Sequence, residues 1–114
     1  MVKYSDEHLD RVFSALGDRT RRAILGRLAA SPGTVTELAE PFEMSLPAVS
    51  KHLRVLSDAG LIQKERDGRL HRCSLEAGSL RAANDWMQQY RRFWEESLDS
   101  LEQYLEGIGK SDDD

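Results

Sequence analysis

Hydrophobic positions recur with helical spacing along most of the chain, and the pattern is clearest in SLPAVSKHLRVL, residues 45–56. The apolar positions of this stretch follow one another at steps of four and three, as on one face of an amphipathic helix: Val49, Leu53 and Leu56. Ser45 can cap the first free amides, and Pro47 removes an amide that has no partner inside the helix. We therefore expect a helix that begins at Ser45 and presents a polar and basic face: Ser50, Lys51 and Arg54.

Three helices are expected before this one. The first ends at Gly17 and has four apolar positions on one side: Leu9, Val12, Phe13 and Leu16. The second, RTRRAILGRLAA, is capped by Asp18 and is broken by the SPG of residues 31–33.

The third helix lies within TVTELAEPFEMS and must be very short or kinked, because Pro41 removes a hydrogen bond beyond the first turn. We expect Thr36 to cap it, and Thr34, which would form a capping box with Glu37, is the alternative. The residues EMS then form a three-residue turn into the helix at residue 45, and the two helices have the arrangement of a helix-turn-helix.

After Gly60 the pattern changes from helical to extended. The runs LIQKER and RLHRCSL flank Asp67-Gly68, a pair that favours a hairpin turn in which both residues have positive φ. From Ser79 to about Glu106 we expect one long amphipathic helix. The fold class is therefore mainly α with a small β-hairpin: a winged helix-turn-helix with five helices.

In this fold class the second helix of the pair enters the major groove of DNA, and its leading end reads base edges and phosphates. The sequence places seven candidate residues there: Ser45, Leu46, Pro47, Ala48, Ser50, Lys51 and Arg54. Arg66 and Arg69 flank the hairpin turn and are the best candidates for wing contacts, followed by Lys64 and Arg72. The alternative for the helix is a merely solvated face. The alternative for the two arginines beside the turn is that they only pair with Glu65 or Asp67.

The net charge of −4 by itself argues against binding to nucleic acid, but the charges are unevenly distributed along the chain. Residues 45–72 carry six lysines and arginines against three acids, whereas residues 73–114 carry four against ten. The positive charge therefore lies in the proposed recognition helix and wing, and DNA is the partner that this local charge favours.

Three segments together resemble the ArsR family of bacterial winged-helix transcriptional repressors, over residues 9–105: ALGDRTRRAILGRL, TVTELAEPFEMSLPAVSKHLRVLSDAGLI and KERDGRLHRCSL. The resemblance implies a homodimer that pairs through its first and last helices, binds a palindromic operator and represses an operon that often includes its own gene. Matched by position, the residues from Ser45 to Lys51 named above and also His52 belong to the DNA-reading helix, and Arg66 and Arg69 belong to the wing.

The sequence departs from the metal sensors of that family. Ala39 and Glu40 stand where paired cysteines would be, and residues 79–106 contain no His or Cys for the second type of metal site. We therefore expect no metal site and no cofactor. The lone Cys73 is either a redox-active thiol or, as is more common on a strand, a small packed residue.

The last helix carries more apolar surface than a small chain needs for its own core, so a dimer interface is expected along the first and last helices: Leu9, Phe13, Tyr90, Trp94, Leu98, Leu101 and Leu105. A different use of the same surface is a small-molecule effector pocket, with an effector that the sequence does not identify: Trp86, Tyr90 and Trp94.

The remaining expectations concern the chain as a whole. Residues 1–106 should form the DNA-binding and dimerisation domain and residues 107–114 a flexible acidic tail. No apolar run suggests a membrane span or a signal peptide, so we expect a cytoplasmic protein. A protein- or RNA-binding winged helix is the alternative function, and the sequence shows no catalytic motif that would indicate an enzyme.

Overall fold

The computed structural model describes the backbone of residues 5–112 and the side chains of residues 5–108. Within that range it contains six helices and three strands, which confirm the winged helix-turn-helix fold class. In chain order they are α1 (Asp6–Leu16), α2 (Arg19–Ala30), β1 (Gly33–Thr34), α3 (Val35–Ala39), α4 (Leu46–Asp58), β2 (Ile62–Asp67), β3 (Leu70–Leu75), α5 (Ala77–Gln88) and α6 (Arg91–Asp112).

The chain divides into two compact units between Ala83 and Asn84. The core of the first unit lies around α4, which packs against α1, α2, α3 and β2. Its largest fully buried side chains come from the four helices, from β3 and from the residue just before β2: Val12, Ile24, Leu38, Val49, Leu53, Leu56, Cys73 and Leu61. Because each buried aliphatic side chain of this size contributes about 1.5–3 kcal/mol, α4 is fixed mainly by its apolar face.

The helix caps agree with the sequence prediction at α2 and α4 but not at α3. The side chain of Asp18 accepts a hydrogen bond from the Arg21 amide, and that of Ser45 accepts one from the Ala48 amide. At α3 the cap is Thr34: its hydroxyl accepts from the Glu37 amide at 3.2 Å, and the Glu37 carboxylate accepts from the Thr34 amide at 3.0 Å. The predicted cap, Thr36, is therefore wrong and the alternative, Thr34, is confirmed, because the reciprocal bonds of the capping box satisfy two amides at once.

The connection between α3 and α4 is longer than the expected three residues. Helix α3 ends at Ala39, two residues before Pro41, and residues 40–45 lead to α4. The Phe42 amide donates to the Ala39 carbonyl at 3.0 Å, and the Phe42 side chain packs against the core. The proline shortens the helix, and Phe42 anchors the connection that replaces its last turn.

The sheet contains one strand more than expected and a differently placed turn. Strand β3 lies between β1 and β2 and is antiparallel to both, and β1 is only two residues long. In the hairpin Asp67 pairs with Leu70, so the turn residues are Gly68 and Arg69 instead of Asp67 and Gly68. Of these two turn residues, only Gly68 has a positive φ, of 63°. A positive φ at the first turn position alone is typical of a type II′ turn, which needs glycine only there.

The final helix is not continuous, which corrects the prediction of one helix from Ser79 to Glu106. The Tyr90 amide donates to the Met87 carbonyl, three residues back, at 3.0 Å. The Trp86 carbonyl, which a regular helix would pair with Tyr90, accepts instead from the side-chain amide of Gln89 at 2.9 Å. The regular pattern of backbone bonds is therefore interrupted at Gln89 and Tyr90, so that α5 ends at Gln88 and α6 begins at Arg91.

The C-terminal end of the described chain is helical. Helix α6 reaches Asp112 and so includes residues 107–112 of the segment expected to be a tail, while Asp113 and Asp114 lie outside the described residues. Among the helices that the structure describes, none has the length and apolarity needed to cross a bilayer.

Candidate nucleic-acid interface

Helix α4 presents the face that the sequence predicted for DNA. Its buried residues hold the helix on the core, and the opposite side leaves Pro47, Ser50, Lys51 and Arg54 exposed. At its start Ser45 and Leu46 are also exposed and Ala48 is partly buried. The amides of the first turn, together with the basic side chains behind them, form a surface that suits a phosphate group.

His52 lies apart from this face. Its side chain is only 20% exposed, and its Nδ1 is 3.3 Å from a terminal nitrogen of Arg21 on α2 and 3.8 Å from the Asp18 carboxylate. The position that the family resemblance assigns to DNA reading is therefore occupied by a side chain that contacts the body of the protein.

The basic residues of α4 and the wing are available for a ligand. Among the described residues, no acid lies within ion-pair distance of any of the five cations proposed to bind DNA: Lys51, Arg54, Lys64, Arg66 and Arg69. The ion pairs that the structure does show between arginine and glutamate are on α6, from Arg91 to Glu95 and from Arg92 to Glu96. The alternative in which Glu65 or Asp67 neutralises the wing arginines has no support in the described geometry.

The two faces of the wing differ in charge. Directly opposed residues share a face, and Ile62, paired with Leu75, marks the face that continues into the core. Further along this face are Lys64, opposite the buried Cys73, and then Arg66, opposite His71. The other face carries Glu65 opposite Arg72 and Asp67 opposite Leu70. The face that continues from the core is therefore basic, and the reverse face is mixed.

This arrangement separates the wing candidates. Lys64 and Arg66 lie on the basic face, Arg69 is in the turn, and the Arg66 Nε donates to the Gly68 carbonyl at 3.2 Å. Arg72 lies on the reverse face. The pKa of Glu37 is lowered mainly by the hydrogen bond from the Thr34 amide, and the charge of Arg72 adds to this lowering. His71 joins the basic face, since it lies two residues before the buried Cys73 on the same strand; sequence reasoning missed it although this alternation can be read from the chain.

Cys73 is fully buried in the core, which favours a packing role over a redox role. Burial raises the pKa of the Cys73 thiol, although the nearby charge of Lys64 acts in the opposite direction. A buried thiol with a raised pKa is a poor nucleophile.

The second unit exposes a long apolar stripe. Five α6 residues follow one another at alternating steps of four and three, the spacing of a coiled-coil seam: Trp94, Leu98, Leu101, Leu105 and Ile108. Trp94 is 65% exposed and Leu98 63%. Tyr90, another residue predicted for the dimer interface, is also exposed, while in the first unit Phe13 is 36% exposed and Leu9 is partly buried.

The bend between α5 and α6 holds a cavity of about 630 Å³. The three residues proposed for an effector pocket all line it, and the ring centroids of Trp86 and Tyr90 are 5.2 Å apart. Met87 and Phe93 join Trp94 in a mostly apolar wall, with Arg91 and Glu95 at the α6 side.

Among the described residues no group of three or more His, Cys, Asp or Glu side chains is arranged to hold a metal ion.

Comparison with known proteins agrees with this geometry. A family model described as a helix-turn-helix domain matches residues 16–65. The HTH-type transcriptional regulator Rv2034 of Mycobacterium tuberculosis is 39% identical over 100 residues, which cover 88% of this chain and 91% of that protein. The transcriptional repressor SdpR of Bacillus subtilis is 35% identical over 82 residues, covering 72% of this chain and 91% of the repressor.

A solved structure is also similar. The crystal structure of an ArsR family transcriptional regulator superimposes with a TM-score of 0.75 at 41% sequence identity, covering 82% of this chain and 97% of the other. The likeness therefore extends over nearly the whole of that regulator.

Proposed function

Because the chain belongs to the ArsR family of winged helix-turn-helix transcriptional regulators, which are not enzymes, we propose that it is a repressor that binds a palindromic operator as a homodimer. The observation that carries the proposal is the exposed face of α4, where Lys51 and Arg54 have no acidic partner among the described residues. In this proposal two copies of α4 enter successive major grooves, about 34 Å apart, on one side of the operator.

Each subunit contributes contacts of two kinds. The leading end of α4 meets base edges and phosphates through Ser45, Leu46, Pro47, Ala48, Ser50, Lys51 and Arg54. The wing supplies phosphate or minor-groove contacts through Lys64, Arg66 and Arg69. Four cations of each subunit are the main candidates for phosphate contacts: Lys51, Arg54, Arg66 and Arg69. A dimer would then make up to about eight such contacts, so the logarithm of the binding constant should fall with log salt at a slope of about −7.

The test is fluorescence anisotropy on duplexes tiled across the DNA upstream of the protein's own gene, together with duplexes that the protein selects from random sequence. Scrambled duplexes of equal length measure non-specific binding, and two salt concentrations give the slope. Lys51→Ala removes one contact per subunit, so the slope should change from about −7 to about −5. Arg92→Ala on α6 is the matched control, because it removes the same charge from a side chain that is 91% exposed and outside the proposed interface.

Selective, salt-sensitive binding that Lys51→Ala weakens and Arg92→Ala does not would support the repressor. Equal, weak binding to all duplexes with a slope near −1 would contradict it. That second result would favour the alternative function, a winged helix that binds protein or RNA.

A second proposal concerns regulation and is favoured by the cavity at the α5–α6 bend. We propose that Trp86, Tyr90 and Trp94 form an effector pocket for a small apolar or aromatic molecule. Trp86 and Trp94 are the two tryptophans of the chain, so intrinsic fluorescence reports directly on this site. A saturable fluorescence change with an aromatic probe, anilinonaphthalene sulfonate, is expected and should be lost in Tyr90→Ala; a response that Tyr90→Ala leaves unchanged would place the probe elsewhere.

A further inference from the structure

Arg21 lies where three helices meet. Its backbone amide donates to the Asp18 carboxylate at 3.0 Å, at the start of α2. Its side chain extends to the end of α1, where Nε donates to the Ala15 carbonyl at 2.8 Å and one terminal nitrogen donates to the Ser14 carbonyl at 3.0 Å. Both carbonyls belong to the last turn of α1, where the helix supplies no further amides: the Ser14 carbonyl also accepts from the Gly17 amide at 3.1 Å, and the guanidinium supplies the donor for the Ala15 carbonyl.

The other terminal nitrogen of Arg21 connects this junction to α4. It lies 3.3 Å from Nδ1 of His52. A guanidinium group can only donate, so the hydrogen bond proposed here is one that Arg21 donates and Nδ1 accepts. The Asp18 carboxylate is 3.8 Å from the same Nδ1. One side chain thus joins the α1–α2 junction to the middle of the recognition helix.

The contact lies next to the exposed basic residues of α4. Lys51 precedes His52 directly and Arg54 follows it by two residues, and both are exposed. The buried leucines of α4 hold the helix on the core through non-directional contacts, whereas the Arg21–His52 hydrogen bond is directional and resists rotation about the helix axis. Reading a base pair needs side chains held within about 0.5 Å, so a small rotation of α4 would reduce selectivity.

We propose that Arg21 and His52 are positioning residues, which fix the orientation of α4 without contacting DNA themselves. The inference rests on the proposed DNA binding and deepens it. It gives His52 a role different from the DNA-reading role that its position in the family pattern suggests. The same proposal explains why His52 is turned toward α2 while its neighbour Lys51 is exposed.

The test compares selectivity, defined as the ratio of affinities for operator and scrambled DNA. Arg21→Ala and His52→Ala should each lower this ratio by about tenfold or more, the loss expected for a hydrogen bond to a charged group. Binding to scrambled DNA should change little, because it depends on phosphate contacts. Arg22→Ala is the matched control: it removes the same charge and a similar bond to the end of α1, from a terminal nitrogen to the Leu16 carbonyl at 2.7 Å, but none to α4.

A rescue variant separates positioning from mere folding. His52→Asn presents a side-chain oxygen close to where Nδ1 lies, so it should accept from Arg21 and restore most of the selectivity. The double variant Arg21→Ala/His52→Ala should be as selective as the less selective of the two single variants, because both substitutions remove the same hydrogen bond. Should Arg21→Ala fail to fold, as judged by circular dichroism, the two His52 variants carry the test, because they leave the α1 carbonyls satisfied.

Two results would overturn the positioning role alone. In the first, His52→Ala weakens operator and scrambled DNA equally and lowers the salt slope, which would make His52 a phosphate contact. In the second, Arg22→Ala loses as much selectivity as Arg21→Ala. If instead the unaltered protein prefers no duplex over scrambled DNA, the proposed function itself fails, and this inference fails with it.

Discussion

At the scale of single residues, two glycines have opposite structural requirements. Gly60, which follows α4, has a φ of 74°, and a Cβ there would lie 2.6 Å from Oγ of the buried Ser79. Gly26 lies within α2, and a Cβ there would meet nothing within 4 Å. Alanine is therefore strained at the first position and favoured at the second.

We expect Gly60→Ala to lower the free energy of unfolding by more than about 1 kcal/mol and Gly26→Ala to raise it by about 0.5–1 kcal/mol. Urea denaturation followed by circular dichroism measures both. Equal effects of the two substitutions would show that the left-handed backbone at Gly60 is not required.

Two acidic side chains make the stability depend on pH. The pKa of Asp18 is lowered from about 3.8, mainly by the hydrogen bond from the Arg21 amide, and that of Glu37 is lowered from about 4.5, mainly by the bond from the Thr34 amide. A carboxyl group whose pKa is lower in the folded protein stabilises the fold above its unfolded pKa. That contribution is lost as the pH falls through the folded value.

We therefore expect stability to decline below about pH 4.5, and to decline less in the double variant Asp18→Asn/Glu37→Gln. Both replacements keep a capping oxygen but do not titrate. Thermal unfolding between pH 2.5 and pH 6 gives the comparison, and parallel curves for the two proteins would mean that other groups set the acid limit.

At the scale of elements, the charge difference between the wing faces predicts which arginines matter. Arg66→Ala or His71→Ala on the basic face should weaken operator binding, and Arg66→Ala should reduce the steepness of the salt slope by about 2, because each dimer loses two contacts. Arg72→Ala is the control on the same strand as His71, on the reverse face. Anisotropy titrations measure all three, and a larger loss with Arg72→Ala than with Arg66→Ala would reverse the proposed orientation of the wing.

The ends of the elements show what the sequence can and cannot predict. Capping residues were largely predictable, because Asp18 and Ser45 act on amides only three residues away. The break between α5 and α6 was not, because Gln89 and Tyr90 have no helix-breaking chemistry and the apolar spacing continues across them. Strand β1 is two residues long and exists only through pairing with β3, a contact about forty residues away that no local pattern encodes.

The candidate site was predictable to a similar degree. The exposed face of α4 follows from the apolar period, which fixes the polar side as well. The inward position of His52 does not follow from that period, since it depends on Arg21, thirty-one residues earlier. Alternation from the buried Cys73 places His71 on one face of β3 and Arg72 on the other. Only their cross-strand partners depended on the turn, which lies one residue later than the Asp67-Gly68 pair suggested.

At the scale of the whole molecule, the apolar stripe on α6 is the surface proposed for pairing two copies. A stripe of this spacing on an exposed helix is typical of a coiled-coil seam. Leu98→Glu places a charge in the seam, whereas Gln103→Glu places the same charge on the opposite side of α6.

We expect Leu98→Glu to sediment as a monomer and to lose operator binding, and Gln103→Glu to remain a dimer with unchanged affinity. Sedimentation velocity measures the mass and anisotropy the binding. A dimer that survives Leu98→Glu would place the interface elsewhere, and a monomer that still binds the operator with full affinity would show that pairing is not needed.

The burial of Cys73 has a practical consequence for all of these measurements. It is the only cysteine of the chain, and its thiol has no exposed surface. A reagent such as dithionitrobenzoate can reach it only when the sheet separates from the helices. The rate of colour development therefore measures how often the wing opens transiently. For the same reason a cysteine introduced on the surface can be labelled with a fluorophore while the native thiol does not react.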